Sequence, residues 1–277
     1  MTGARESFRQ RRERRRRRRG GRRERRRAVY LLPNLITATG LMLGFWSITL
    51  SIRGEFDKAA LAIVLAMICD MLDGRVARAT QSSSRFGTEF DSLSDLTAFG
   101  LAPALLMYNW TLLPLGPRGW LVAGLFALCA ALRLARFNAK VDDPNQKHFQ
   151  GIATTFAGGM VAATVWFVGS FDIEPPFPRP VGIAITSFFA LLALLMVSTI
   201  PYPSVKGIKI EGPRAFPLLV AILVSLVVVL LNHETMLFAL GLAYLVSGPV
   251  LWWVERKKPK PEPVAEAAER GSIGDVR

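Results

Sequence analysis

Asp70-Met71-Leu72-Asp73-Gly74-Arg75-Val76-Ala77-Arg78 and, after eight residues, Gly87-Thr88-Glu89-Phe90-Asp91-Ser92-Leu93-Ser94-Asp95 decide the reading of this chain. Four aspartates stand in apolar surroundings, where an unpaired carboxylate is expensive. Clustered carboxylates are most simply offset by one or two divalent cations. Helix periodicity brings the acids together. Asp70 and Asp73 are i and i+3, Asp91 and Asp95 are i and i+4, so each pair shares a helix face. The polar run Thr80–Arg85 reverses the chain between them, and two antiparallel helices joined in this way converge their acid faces at one membrane surface. Oxygen-only ligands suit Mg²⁺ or Mn²⁺, and the absence of Cys and His argues against zinc or copper. Gly74, Gly87 and Ala77 open space for a flat or phosphorylated group, although small residues also serve plain helix packing in membranes.

The rest of the chain supplies the membrane context. With 277 residues, 51% hydrophobic content and a mean hydropathy of +0.30, it reads as an all-α integral membrane protein. About eight apolar stretches reach the roughly 20 residues of a transmembrane helix. They fall near 29–52, 58–79, 88–113, 119–138, 151–171, 180–200, 213–231 and 234–254. Polar interruptions predict weak hydropathy for the second, third and fourth, as befits helices that line a cavity. Three regions follow: an Arg-rich tail over 1–27, a transmembrane domain over 28–255 and a polar tail over 256–277, with both tails expected to be disordered.

The net charge of +14 is a matter of location. Residues 1–27 hold fifteen Arg and three Glu, a net +12, and Phe8 is the tail's one aromatic. Such a tail before a first span favours the cytoplasmic side and anionic lipid, and no specific nucleic-acid partner is expected. With the N-terminus inside, ten Lys or Arg fall on inner loops and helix ends against four on outer ones. Both termini and the acid cluster are thus expected on the cytoplasmic face of the cell membrane. Cys69 and Cys129 fall within spans and read as buried thiols without a disulfide; His148 and His233 read as loop residues.

The eight fixed positions Asp70, Asp73, Gly74, Ala77, Arg78, Gly87, Asp91 and Asp95, at these spacings, resemble the signature of the CDP-alcohol phosphotransferase family. The resemblance implies a six-helix catalytic core that binds a CDP-linked donor at the cytoplasmic interface. It implies that Asp70, Asp73 and Asp91 hold two divalent ions, with Asp95 both a ligand and the general base. Gly74, Ala77, Arg78 and Gly87, together with Asp70, would bind the nucleotide. The family's Pro-Asn pair at the start of the first span is matched by Pro33-Asn34, where Asn34 either contacts nucleotide or caps the helix. Homodimers are usual in the family.

Within the family, the chain is similar to the phosphatidylserine synthase branch. The likeness lies in Phe90–Leu105, Leu132–Asn138, Phe149-Gln150-Gly151-Ile152 and Pro201–Lys206, with one departure: Ala153 where that branch commonly has Pro. This implies CDP-diacylglycerol and serine as substrates, phosphatidylserine and CMP as products. Arg133 and Arg136, three apart near the end of the fourth span, can share a face and bind the lipid phosphate or the serine carboxylate; snorkelling to headgroups is the alternative. Two other functions remain open at this point. One is the same chemistry on glycerol 3-phosphate or an inositol phosphate; the other is a cation or proton transporter, since intramembrane acids also build ion pathways.

Overall fold

The computed structural model describes residues 31–80, 84–139, 149–202 and 232–256. The expected N-terminal tail, the seventh expected span at 213–231 and the C-terminal tail beyond Arg256 lie outside the described residues. Seven helices are described. They are α1 Leu31–Ile52, α2 Phe56–Ala79, α3 Arg85–Leu115, α4 Pro117–Ala139, α5 Thr154–Gly169, α6 Arg179–Val197 and α7 His233–Arg256. Two two-residue strands, β1 Phe149–Gln150 and β2 Pro201–Tyr202, pair antiparallel with Phe149 opposite Tyr202.

Five of these helices, α1, α3, α4, α6 and α7, are long and apolar enough to cross a membrane. The protein is a multi-pass, all-helical membrane protein. Of the three spans expected to be weak in hydropathy, α3 and α4 are not; their windows average 1.3 and 1.7. The acids and arginines of both sit near one helix end, so an apolar window survives beside them. The fifth expected span is helical over only 16 residues. At 1.5 Å per residue that is about 24 Å, less than the hydrocarbon core. Its environment explains the shortness: Ala157, Gly158, Met160, Val161 and Ala162 are all buried, so α5 is an interior helix lined by its neighbours.

Small residues set the helix spacing. Gly40 and Gly44 face α2 and α3, and a Cβ on Gly44 would lie 2.7 Å from Ala98 Cα. Gly158 of α5 sits 3.1 Å, by the same measure, from Phe99 Cα. This is the small-xxx-small logic of membrane helix packing. Larger rings fill the remaining space: Phe126 of α4 stacks on Phe189 of α6 at 4.4 Å, and Phe167 of α5 on Phe238 of α7 at 4.4 Å.

Directly after Asp95, α3 opens into a wide π-type turn over Leu96–Leu101. Ala98, Phe99 and Gly100 are all buried there, with neighbouring helices on every side. The turn lets one short segment meet α1, α5 and α4 at once, through Gly44, Gly158 and Ala130.

The strand pair forms a clasp at the same end of the bundle. Gly151 follows β1 with φ +76, donates to Ile200 O at 2.9 Å, and leads into Ile152, which donates to Leu195 O. A Cβ on Gly151 would lie 2.6 Å from Met196 O, so only glycine fits. Tyr202, in β2, donates its hydroxyl to Leu245 O of α7 at 3.3 Å. Burial, and then the neighbouring Tyr244, push its phenol up to about 12, so it stays neutral and keeps that donor.

Candidate active site

The site is assembled where the last turns of α2 meet the first turns of α3, as the chain reversal requires. Ser84 caps α3, its hydroxyl accepting from Gly87 N at 3.0 Å, which fixes the phase of the helix that carries Asp91 and Asp95. Carboxylate oxygens of Asp70, Asp91 and Asp95 then lie within 4.8 Å of one another.

Asp73 lies outside that 4.8 Å group but within electrostatic reach of each of its members. It is buried, and Thr37 of α1 donates to its Oδ2 at 2.7 Å. Ser94 donates to Thr37 O at 3.1 Å and so ties the same α1 turn to α3. The four acids are therefore two connected units: three that converge, and one held by a hydroxyl from the first helix. Among the described residues, none of the four has an Arg or Lys at ion-pairing distance; the ion pair present joins Lys58 and Glu55 in the α1–α2 turn. Three converging carboxylates without a protein cation, offering oxygen ligands alone, fit a hard divalent ion.

Beside the acids lies an open cleft of about 100 Å³, lined by Pro33, Asn34, Thr37, Asp73, Gly74, Ala77, Ser84, Gly87, Thr88 and Asp91. Most of the residues expected at a nucleotide appear here. Asn34 lies inside α1, not ahead of it, so it does not cap the helix. Its Oδ1 would be 3.3 Å from a Cβ on Gly87. Gly87 and Gly74 keep the cleft open from two helices. Arg78 does not line the cleft; it folds back along α2, and a Cβ on Gly74 would be 3.8 Å from its Nη1. Asp70 and Asp95 do not line the cleft, but they lie within 4.8 Å of Asp91, which does.

The two arginines of α4 part company. Arg133 turns inward: Nη1 donates to Thr154 Oγ1 at 3.1 Å, Nε is buried without a partner, and Asp95 is within electrostatic reach. Arg136 instead donates to Val197 O at 3.1 Å, where a cation meets the last carbonyls of α6. Sharing a face by spacing did not give them a shared partner. Thr154 and Thr155 were not singled out by sequence; Thr155 donates to Asp70 Oδ2 at 3.4 Å. A paired hydroxyl at the mouth of an otherwise apolar span was the available signal. Asn138, which donates to Ser92 Oγ at 2.9 Å, was likewise unmarked.

Acids that converge at one end of a membrane-embedded helix bundle, beside a glycine-walled cleft, define an integral membrane enzyme built to handle phosphate groups through metal-compatible oxygen ligands. Residues 30–201 match the family described as CDP-alcohol phosphatidyltransferase, and the chain belongs to that family. It is 38% identical over 224 residues to a CDP-diacylglycerol–serine O-phosphatidyltransferase of Helicobacter pylori, covering 81% of this chain and 92% of that protein. A protein of the same name from Mycobacterium bovis is 33% identical over 225 residues, covering 79% and 77%. An archaetidylserine synthase of Methanothermobacter thermautotrophicus is 35% identical over 180 residues, covering 64% and 71%. Membership of this family removes the transporter reading.

Proposed function

We propose that the protein transfers the phosphatidyl group of CDP-diacylglycerol to the hydroxyl of L-serine, giving phosphatidylserine and CMP. The observation that carries this is the convergence of Asp70, Asp91 and Asp95 beside the cleft of Asn34, Gly74, Ala77 and Gly87. The names and coverage of the relatives support serine as the acceptor.

The cytidine diphosphate lies in the cleft against Gly74 and Gly87, where the missing Cβ atoms admit it, with Asn34 offering both a donor and an acceptor. Asp70, Asp73, Asp91 and Asp95 would hold two divalent ions, Mg²⁺ or Mn²⁺, with Thr37 orienting Asp73. Such ions would supply charge neutralisation for the pyrophosphate and for the departing CMP. Serine's hydroxyl has a pKa far above neutrality and needs a positioned base. Asp95 accepts its proton and orients the oxygen. That oxygen bonds to the lipid-proximal phosphorus as the bond from this phosphorus to the bridging oxygen breaks, and CMP leaves with the bridging oxygen. No covalent enzyme intermediate forms. Arg133 holds the serine carboxylate or the lipid phosphate, and its buried, unpartnered Nε supports that role. Arg136, with Val197 O as a partner, serves the same region more distantly. Arg78 balances the nucleotide's charge from beside Gly74. The enzyme works as a homodimer with its site on the cytoplasmic face of the cell membrane.

The test is CMP release by purified protein in mixed micelles from CDP-diacylglycerol with Mn²⁺ or Mg²⁺, offered serine, glycerol 3-phosphate or inositol separately. Serine alone should support turnover, a chelator should abolish it, and either ion should restore it. Turnover that survives the chelator, or that favours another alcohol, would sink the reading.

A further inference from the structure

Three consecutive residues in the first turn of α5 each anchor a different part of the site. Thr154 accepts from Arg133, Thr155 reaches Asp70, and Phe156 packs its ring on Tyr244 of α7, centroids 4.8 Å apart and planes tilted by 59°. Tyr244 packs against the same first turn of α5 that bonds Arg133, and the Tyr244 and Arg133 side chains lie within electrostatic reach of each other. Arg133 has donor capacity left over, because Nη1 is on Thr154 while Nε is buried and unpartnered. Tyr244 is also held from its other flank. The Tyr202 ring lies 5.6 Å away, its hydroxyl clamps Leu245 O one residue along α7, and Gly248 leaves the room that ring occupies. The β1–β2 clasp and α7 together fix Tyr244 against the site.

Chain position adds a second argument. The acids, the cleft residues and Arg133 all fall within the 30–201 stretch that matches the family. Tyr244 does not. A side chain that approaches from outside the shared core is placed to read the part of the reaction the shared core does not fix, which is the acceptor alcohol. A phenol also adds a hydrogen-bond donor without a second positive charge. That suits a zwitterion with one carboxylate better than a phosphorylated acceptor, which would call for further cations.

We propose that Tyr244 is a specificity-determining residue of the acceptor site, its hydroxyl and the Arg133 guanidinium together holding the carboxylate of an amino-acid alcohol beside Asp95. The inference rests on the functional reading above and deepens it. Tyr244→Phe keeps the ring on Phe156 and removes only the hydroxyl. In full-length protein with CDP-diacylglycerol and Mn²⁺, the serine KM should rise about tenfold, as for loss of a hydrogen bond to a charged group, while kcat and the CDP-diacylglycerol KM stay within about twofold. Tyr202→Phe is the control for packing: it deletes the bond to Leu245 O but keeps the ring on Tyr244 and the Tyr244 hydroxyl, and should lower the melting temperature with a much smaller rise in serine KM than Tyr244→Phe. An unchanged serine KM in Tyr244→Phe overturns the proposal, as does an equal rise in both variants, which would mean Tyr244 acts only through α7 packing. Wild-type CMP release that ignores serine would instead overturn the functional reading, and this inference with it.

Discussion

Asp95 meets more of the site than any other acid. It converges with Asp70 and Asp91, lies within electrostatic reach of Arg133, and ends the regular winding of α3. Asp95→Asn keeps the volume but removes the charge and the basic oxygen. The expected result is a kcat lower by about 10²–10⁴-fold, the usual scale of general acid–base catalysis, with the protein still folded by its melting profile. At this scale the spacing of the signature anticipated that Asp70, Asp91 and Asp95 come together and that Gly74 and Gly87 line one cleft, because a helix repeats every 3.6 residues whatever surrounds it. It could not show that Asp73 takes a hydroxyl partner, because that partner, Thr37, stands 36 residues earlier on a different helix. The divergence of Arg133 and Arg136 was hidden for the same reason: their partners, Thr154 and Val197, come from α5 and α6.

Among the elements, the clasp at Gly151 makes the sharpest demand on sequence. Gly151→Ala must hold φ near +76, at a cost of about 1–2 kcal/mol for an L-residue. It must also place a Cβ 2.6–3.0 Å from the carbonyl oxygens of Met196, Leu195 and Ser198. Gly54 has the same φ of +76 with nothing within 4 Å, so Gly54→Ala carries the strain without the clash. A thermal melt in detergent should therefore show the larger loss for Gly151→Ala, and equal losses would remove the steric argument. Two residues on, at the departure from the branch pattern, the backbone is one that proline also adopts. Ala153 has φ −64 and ψ 143, and its N–H donates to no backbone carbonyl. Ala153→Pro should stabilise the protein by about 0.4–1 kcal/mol through the unfolded state, and a lower melting temperature would contradict this. The sequence contained both clasp segments, Phe149–Ile152 and Pro201-Tyr202, but not their pairing, since two-residue strands have no periodicity to detect. The π-type turn after Asp95 was equally silent, because it arises from what Ala98, Phe99 and Gly100 must each touch.

For the whole molecule, orientation is the property that local structure leaves least determined. The site end of the described bundle carries Arg75, Arg78, Arg85, Arg133 and Arg136, and the opposite end Arg53, Lys58, Arg118 and Arg179. Five against four is almost no bias. What tips the balance lies outside the described residues: Lys140, Lys147, Lys206, Lys209, Arg214 and the fifteen Arg of residues 1–27. Positive charge near span ends biases topology toward the cytoplasm, so the proposed orientation, with ten loop and helix-end cations expected inside against four outside, should hold even without the tail. The prediction is specific enough to test in cells. With Cys69 and Cys129 replaced by serine, a cysteine at exposed Ala79 reports the site end and one at exposed Ser170 the opposite end. A membrane-impermeant maleimide should label Ser170→Cys in intact spheroplasts and Ala79→Cys only after permeabilisation, in the full chain and in a chain lacking residues 1–27. Labelling that inverts on truncation would assign topology to the arginine tail alone; inversion in the full chain would put the acids on the wrong side of the membrane for a cytosolic nucleotide donor.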